Sequence, residues 1–211
     1  MAPKSGKRRI GRERILQVAE EMFASQGYRA VSIREIARAC GVTNAALYYH
    51  FPSKATLFRE VILRHLQALR QRLLHAQATE HAFRAKLRAM LEVYAATLHE
   101  HRTSMFALRR DISAWKDAPP EERKTLFRQA WQAVIEPFAT VLQEALQQGQ
   151  IRPVAPSATL ATMLLGLLAG VLHQPTLLNQ PDIPQAVEQA LEVFLHGLDT
   201  AAYATQGEDD A

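Results

Sequence analysis

Between Ser32 and Phe51 the chain reads SIREIARACGVTNAALYYHF, and this stretch leaves little freedom in how it folds. Ser32, with Glu35 three residues on, makes a capping box, the reciprocal pair that satisfies free amide groups at a helix start. Ile33, Ile36, Ala37 and Cys40 then recur at helical spacing and mark one buried face. Gly41 ends that helix, and Thr43 can cap a second, very short one. Two helices joined by a tight glycine-containing turn, the second of them short, form a helix-turn-helix. To close the small core, Leu47 must face Ile36 and Ala37. That places Asn44, Ala45 and Tyr48 on the outward face, because three to four residues make one turn.

Three consecutive rings follow: Tyr48, Tyr49 and His50. They either fill the gap between this small head and the next helix, or are held out for a partner. In a helix-turn-helix the second helix enters the DNA major groove, leading with its N-terminal residues. Asn44 carries the paired donor and acceptor that suit an adenine edge, and Ala45 is small enough for a thymine methyl. Tyr48 can pack on a base or reach a phosphate. Tyr49 and His50, beyond the helix end, suit phosphate oxygens, and Lys54 adds a charge in the next helix.

The charge distribution points the same way. The formal net charge is only +4, yet nine basic residues (Lys4, Lys7, Arg8, Arg9, Arg12, Arg14, Arg29, Arg34 and Arg38) stand before Phe51 against four glutamates. The positive charge is therefore concentrated in the first quarter, as for a head that meets a polyanion; a solvated basic tail would look similar.

The rest of the chain has helical spacing throughout and no sustained strand pattern. The first helix is expected from about Gly11 to Gln26, with Gly27 as its cap. A long strut helix is expected from Ser53 to about Ala76. Five more follow, over roughly 82–99, 103–114, 119–148, 156–173 and 183–202. The expectation is an all-α fold of about nine helices, a three-helix DNA-binding head followed by a larger helical body. Its most apolar run, Leu160 to Leu172, falls short of the roughly 20 residues that a membrane span needs, so no membrane partner is expected. The basic N-terminus has no apolar stretch behind it, so it is not expected to act as a secretory signal. A single cysteine, Cys40, excludes an internal disulfide and a cysteine-cluster metal site and fits a reducing cytoplasm.

The segment SIREIARACGVTNAALYYHFPSKATLF resembles the DNA-binding signature of the TetR family of bacterial transcriptional regulators, over about Ile10 to Phe58. A second stretch, LQEALQQGQIRP, resembles the exit of the long helix in that family's ligand-binding domain. The resemblance implies a helix-turn-helix domain over 9–69, with its motif at 32–51 and the strut at 53–76. It also implies an effector-binding and dimerisation domain over 77–205. Carried over by position, Ser32 and Thr43 become phosphate contacts at helix starts. Arg34, Asn44, Ala45 and Tyr48 become candidates for base edges, and Tyr49, His50 and Lys54 for the backbone. Ala45 stands where many members have glycine or proline, which bears on base preference.

The family pattern also implies a homodimer on a palindromic double-stranded operator. A seam is expected from the last two helices. There Gly166, Ala169 and Gly170 allow close approach, and Val187, Leu191, Phe194 and Leu198 form one stripe; an intramolecular core is the alternative. The middle helices carry Met90, Tyr94, Met105, Phe106, Phe127 and Trp131 as an expected lining for an apolar or aromatic effector. Arg109 and His173 are among the polar groups able to select it. Plain core packing accounts for many of these residues equally well.

Enzymatic motifs are missing. HEHR at 99–102 lacks the paired histidines of a zinc-protease helix, and no phosphate loop, nucleophile elbow or carboxylate pair stands out. No cofactor is expected. The chain reads as a cytoplasmic, nucleoid-associated regulator, most simply a repressor. An architectural or activating DNA binder without an effector is the alternative.

Overall fold

The computed structural model describes residues 11–100, 119–172 and 182–198, without the side chains of residues 99 and 100. Among them there are eight helices and no strand. They are α1 (Arg12–Gln26), α2 (Ile33–Cys40), α3 (Asn44–His50), α4 (Lys54–Thr79), α5 (Phe83–Glu100), α6 (Pro120–Gln147), α7 (Ser157–Leu172) and α8 (Ile183–His196). The helix expected over 103–114 lies outside the described residues, as do Met105, Phe106, Arg109 and His173. The chain divides into two compact units. One is Met1–His65 with His101–Leu126; the other is Leu66–Glu100 with Phe127–Ala211. The division falls within α4.

In the first unit, helix ends are set by local chemistry. Gly27 takes φ 85° and donates its N–H to the Phe23 carbonyl at 2.9 Å, which turns the chain off α1. Gly41 takes φ 68°, a left-handed conformation that a side chain would strain. Its N–H reaches the Arg38 carbonyl at 3.0 Å, and the Val42 N–H reaches Ala37 at 2.9 Å, so the last carbonyls of α2 stay satisfied. The core joins Ile15, Leu16, Ala19 and Phe23 of α1, Ile36 and Ala37 of α2, Leu47 of α3, and Leu57, Phe58 and Val61 of α4, all buried. Phe23 meets Phe58 edge-on at 5.2 Å, and Tyr28 lies 4.6 Å from Phe58. Outside this core, three ion pairs lace α1 to α4: Arg12 to Glu60, Glu13 to Arg64, and Glu20 to His65.

The second unit is a helical bundle in which α8 packs on α5 and α7. Its core is built from Leu73 of α4, Leu87, Met90 and Leu91 of α5, Phe138 and Leu142 of α6, Leu160 and Leu164 of α7, and Val187 and Leu191 of α8. Pro137 sits inside α6, and the helix continues through it. Helix α8 closes at His196, with Gly197 as its cap, and residues 199–202 of the expected helix lie outside the described residues. The Arg152 guanidinium donates to the Gly197 carbonyl at 2.7 Å, and the Arg152 N–H to the Leu198 carbonyl at 3.1 Å.

Candidate nucleic-acid interface

The geometry of the head follows from one buried anchor. Leu47 is fully buried and is the sole buried residue of α3. One anchor on a seven-residue helix leaves Asn44, Ala45, Ala46, Tyr48 and Tyr49 exposed. Tyr48 is 50% exposed and Tyr49 85%, so these rings do not fill a gap in the head. His50 is half-buried, its ring 5.2 Å from Tyr49.

The two helix starts are built as expected. The Ser32 hydroxyl accepts the Glu35 N–H and Glu35 answers the Ser32 N–H, the full capping box. Thr43 Oγ1 accepts the Ala46 N–H at 3.1 Å. Both side chains are engaged in capping, so what they can offer a phosphate is the remaining hydroxyl capacity and the neighbouring amides. Arg34 is exposed on α2, as are Arg38 on the same helix and Arg29 in the preceding turn. Lys54 is half-buried, its ammonium 4.3 Å from the centre of the Tyr28 ring. Arg12 lies over the Phe51 ring at 4.9 Å and pairs with Glu60 at 2.9 Å. Sequence reasoning missed both cation–ring contacts, because each joins residues far apart in the chain.

Elsewhere the structure corrects two expectations. Phe127 and Trp131 do not face inward; they are 62% and 44% exposed. The buried stripe of α6 runs through Leu126, Ala133, Phe138, Val141 and Leu142, and one residue's rotation carries Phe127 outward. Met90 is fully buried in the bundle core, and Tyr94, half-buried, meets Phe138 edge-on at 6.4 Å. A recess of about 90 Å³ lined by His81, Lys86, Glu144 and Gln148 is polar and too small for an organic effector of drug size.

The second correction concerns Val187, Leu191, Phe194 and Leu198. These are buried in the chain's own core and present no surface to a partner. The exposed face of the last two helices is instead made by Met163, Gly166, Leu167 and Gly170 of α7 and Val193 of α8, with Ala169 half-buried. A Cβ placed on Gly166 or Gly170 would meet nothing within 4 Å.

A helix-turn-helix with an outward, aromatic-ended second helix, carried on an all-helical body, defines a DNA-binding transcriptional regulator. Residues 15–61 match the family described as bacterial regulatory proteins, tetR family, and residues 85–204 match the AefR-like transcriptional repressor C-terminal domain. The chain belongs to the TetR family of transcriptional regulators, whose members are not enzymes. It is 27% identical over 193 residues to the HTH-type transcriptional regulator UidR of Escherichia coli strain K12, covering 90% of this chain and 94% of UidR. Among solved structures it is similar to the TetR family regulator PfmR from Thermus thermophilus. That match has 25% identity and a TM-score of 0.68 over 88% of this chain and 99% of that one. It also shares the fold of AibR, solved with isovaleryl coenzyme A and operator DNA, at 19% identity and a TM-score of 0.66. The match covers 86% of this chain and 96% of AibR. Among the described residues, no helix is long and apolar enough to cross a membrane.

Proposed function

We propose that this regulator is a cytoplasmic repressor that binds a palindromic operator as a homodimer and is released by a small apolar or aromatic effector. The observation that carries the DNA side of this reading is α3, held by Leu47 alone and presenting Asn44, Ala45, Tyr48 and Tyr49 to solvent. Asn44, Ala45 and Tyr48 read base edges with Arg34, while Ser32, Thr43, Tyr49, His50 and Lys54 hold the backbone.

A head this small covers few base pairs, so a two-fold dimer supplies the second reading helix. The face that suits this seam is the exposed one, Met163, Gly166, Leu167, Gly170 and Val193. Support for an effector comes from AibR, whose structure is a complex with isovaleryl coenzyme A and operator DNA. The side chains that this reading assigns to an effector are Tyr94, Met105, Phe106, Arg109 and His173. An effector releases DNA only by favouring the arrangement that binds DNA less well, and α4, which begins at Lys54 and runs to Thr79, is the connecting element.

The test is a titration of the purified protein against duplex DNA from upstream of its own coding sequence and against a scrambled duplex. A specificity ratio of about a thousandfold or more supports the reading. Asn44→Ala and Tyr48→Ala should shrink that ratio. Equal binding to both duplexes favours a non-specific, architectural role instead.

A further inference from the structure

We infer that Tyr28 is a positioning residue for DNA binding: its ring face holds the Lys54 ammonium in place for a backbone phosphate. This rests on the DNA-binding reading of the head and deepens it. Lys54 Nζ stands 4.3 Å from the centre of the Tyr28 ring, inside the roughly 6 Å over which a ring face attracts a cation. Tyr28 is itself fixed. It is buried, its ring lies 4.6 Å from Phe58 and 5.9 Å from Phe23, and it follows Gly27 at the sharp exit from α1. The ring cannot follow the lysine, so the lysine conforms to the ring.

The backbone of Lys54 is equally well placed. It is the first residue of α4, and Ser53 Oγ accepts the Thr56 N–H at 3.0 Å just before it. The four-carbon stem carries rotamer freedom that must be given up when a phosphate is bound. The ring removes that freedom before DNA arrives, which lowers the cost of ordering on association.

The Lys54 charge is also felt, weakly, by the Glu35 carboxylate in the first turn of α2, whose Oε2 takes the N–H of Ser32 at 2.8 Å and the Ser32 hydroxyl at 2.7 Å.

Because a phosphate contact is independent of sequence, the experiment needs no knowledge of the operator. The full-length protein is titrated with a random-sequence duplex at several salt concentrations. Residue 28 is varied from tyrosine to phenylalanine and then through mono-, di- and trifluorophenylalanine, which keep the ring's shape while draining its face of electron density. Affinity should fall stepwise with fluorination, by about two- to fivefold across the series at low salt. Lys54→Ala should lower the salt slope by about one unit and make the fluorine series flat. An equal fall with and without Lys54 would mean that Tyr28 is merely structural, and the inference is lost. It is also lost if Lys54→Ala leaves affinity and slope unchanged. A wild-type protein that binds no duplex at all removes the DNA reading of the head along with it, whereas a flat series on a protein that binds removes only the role of Tyr28.

Discussion

Ser32 and Glu35 hold each other at both ends of one turn. Ser32 Oγ accepts the Glu35 N–H at 3.2 Å, and Glu35 Oε2 accepts the Ser32 N–H at 2.8 Å. The pair fixes where α2 begins, and with it the height at which the turn delivers α3. Ser32→Ala should cost about 1 kcal/mol, a fall in Tm of about 2–4 °C for a chain of this size. An unchanged melting curve would show that water replaces the cap at no cost.

The same pair gives the head a dependence on acid. The hydrogen bond from the Ser32 hydroxyl, then that from its N–H, with the charges of Arg38 and Lys54, holds the Glu35 carboxyl below its ordinary value of 4.5. A carboxyl depressed in the fold contributes stability above its unfolded value, and that contribution is lost as pH falls through the lower, folded one. Melting temperature should therefore fall more steeply below pH 4.5 in the wild type than in Glu35→Gln. Parallel curves for the two proteins would assign the acid sensitivity to other groups.

Leu47 and Tyr49 sit two residues apart on α3 and should respond in opposite ways. Leu47→Ala removes the only buried side chain of the helix and should cost about 2–5 kcal/mol, a loss typical of a filled core site. Tyr49→Ala, at a position 85% exposed, should leave stability within about 0.5 kcal/mol. It should nevertheless weaken DNA binding. Urea melts and duplex titrations of the two variants separate these effects. Loss of stability in Tyr49→Ala, or retained stability in Leu47→Ala, would contradict the anchoring described above.

These contrasts show what the sequence can convey. The capping box, the turn at Gly41 and the inward setting of Leu47 are local, so residue types and spacing determine them. The stripe Val187, Leu191, Phe194 and Leu198 is legible as a stripe but not as to its owner, because a helix buries the same pattern against its own chain or against a partner. Phe127 and Trp131 are misplaced when residue type is allowed to outweigh helical phase. The end of α8 at His196 has a local signal, the cap Gly197, whereas the bond from Arg152 to that glycine's carbonyl joins residues 45 apart and has none. The Tyr28–Lys54 contact is invisible for the same reason of distance along the chain.

Cys40 closes α2 from the inside, and its chemistry follows from that position. It is buried, and burial pushes its thiol above the ordinary value of 9.0 against a smaller opposing pull from Arg14. A thiol raised in the fold contributes stability below its unfolded value, and the contribution is lost as pH rises through the folded one. Because the thiolate is the reactive form, the folded protein should react slowly with an aromatic disulfide reagent at pH 8, and urea should release the reaction. As reagent is raised until labelling outpaces reclosing, the native-state rate should level off at the rate of opening. Rapid, reagent-dependent labelling would show that the packing of α2 around Cys40 opens readily.

The exposed face of α7 and α8 offers a sharp test of assembly. Val193 is 64% exposed, and Leu167 stands on α7 between Gly166 and Gly170. In a monomer, Leu167→Glu and Val193→Glu are surface changes and should leave the fold intact. In the proposed dimer each places an unpaired carboxylate in an apolar seam, where burial of a charge is costly. Light scattering should report a shift from dimer to monomer for both variants, with helical content unchanged by circular dichroism. Variants that stay dimeric would move the seam to another face of the bundle and take the proposed interface with them.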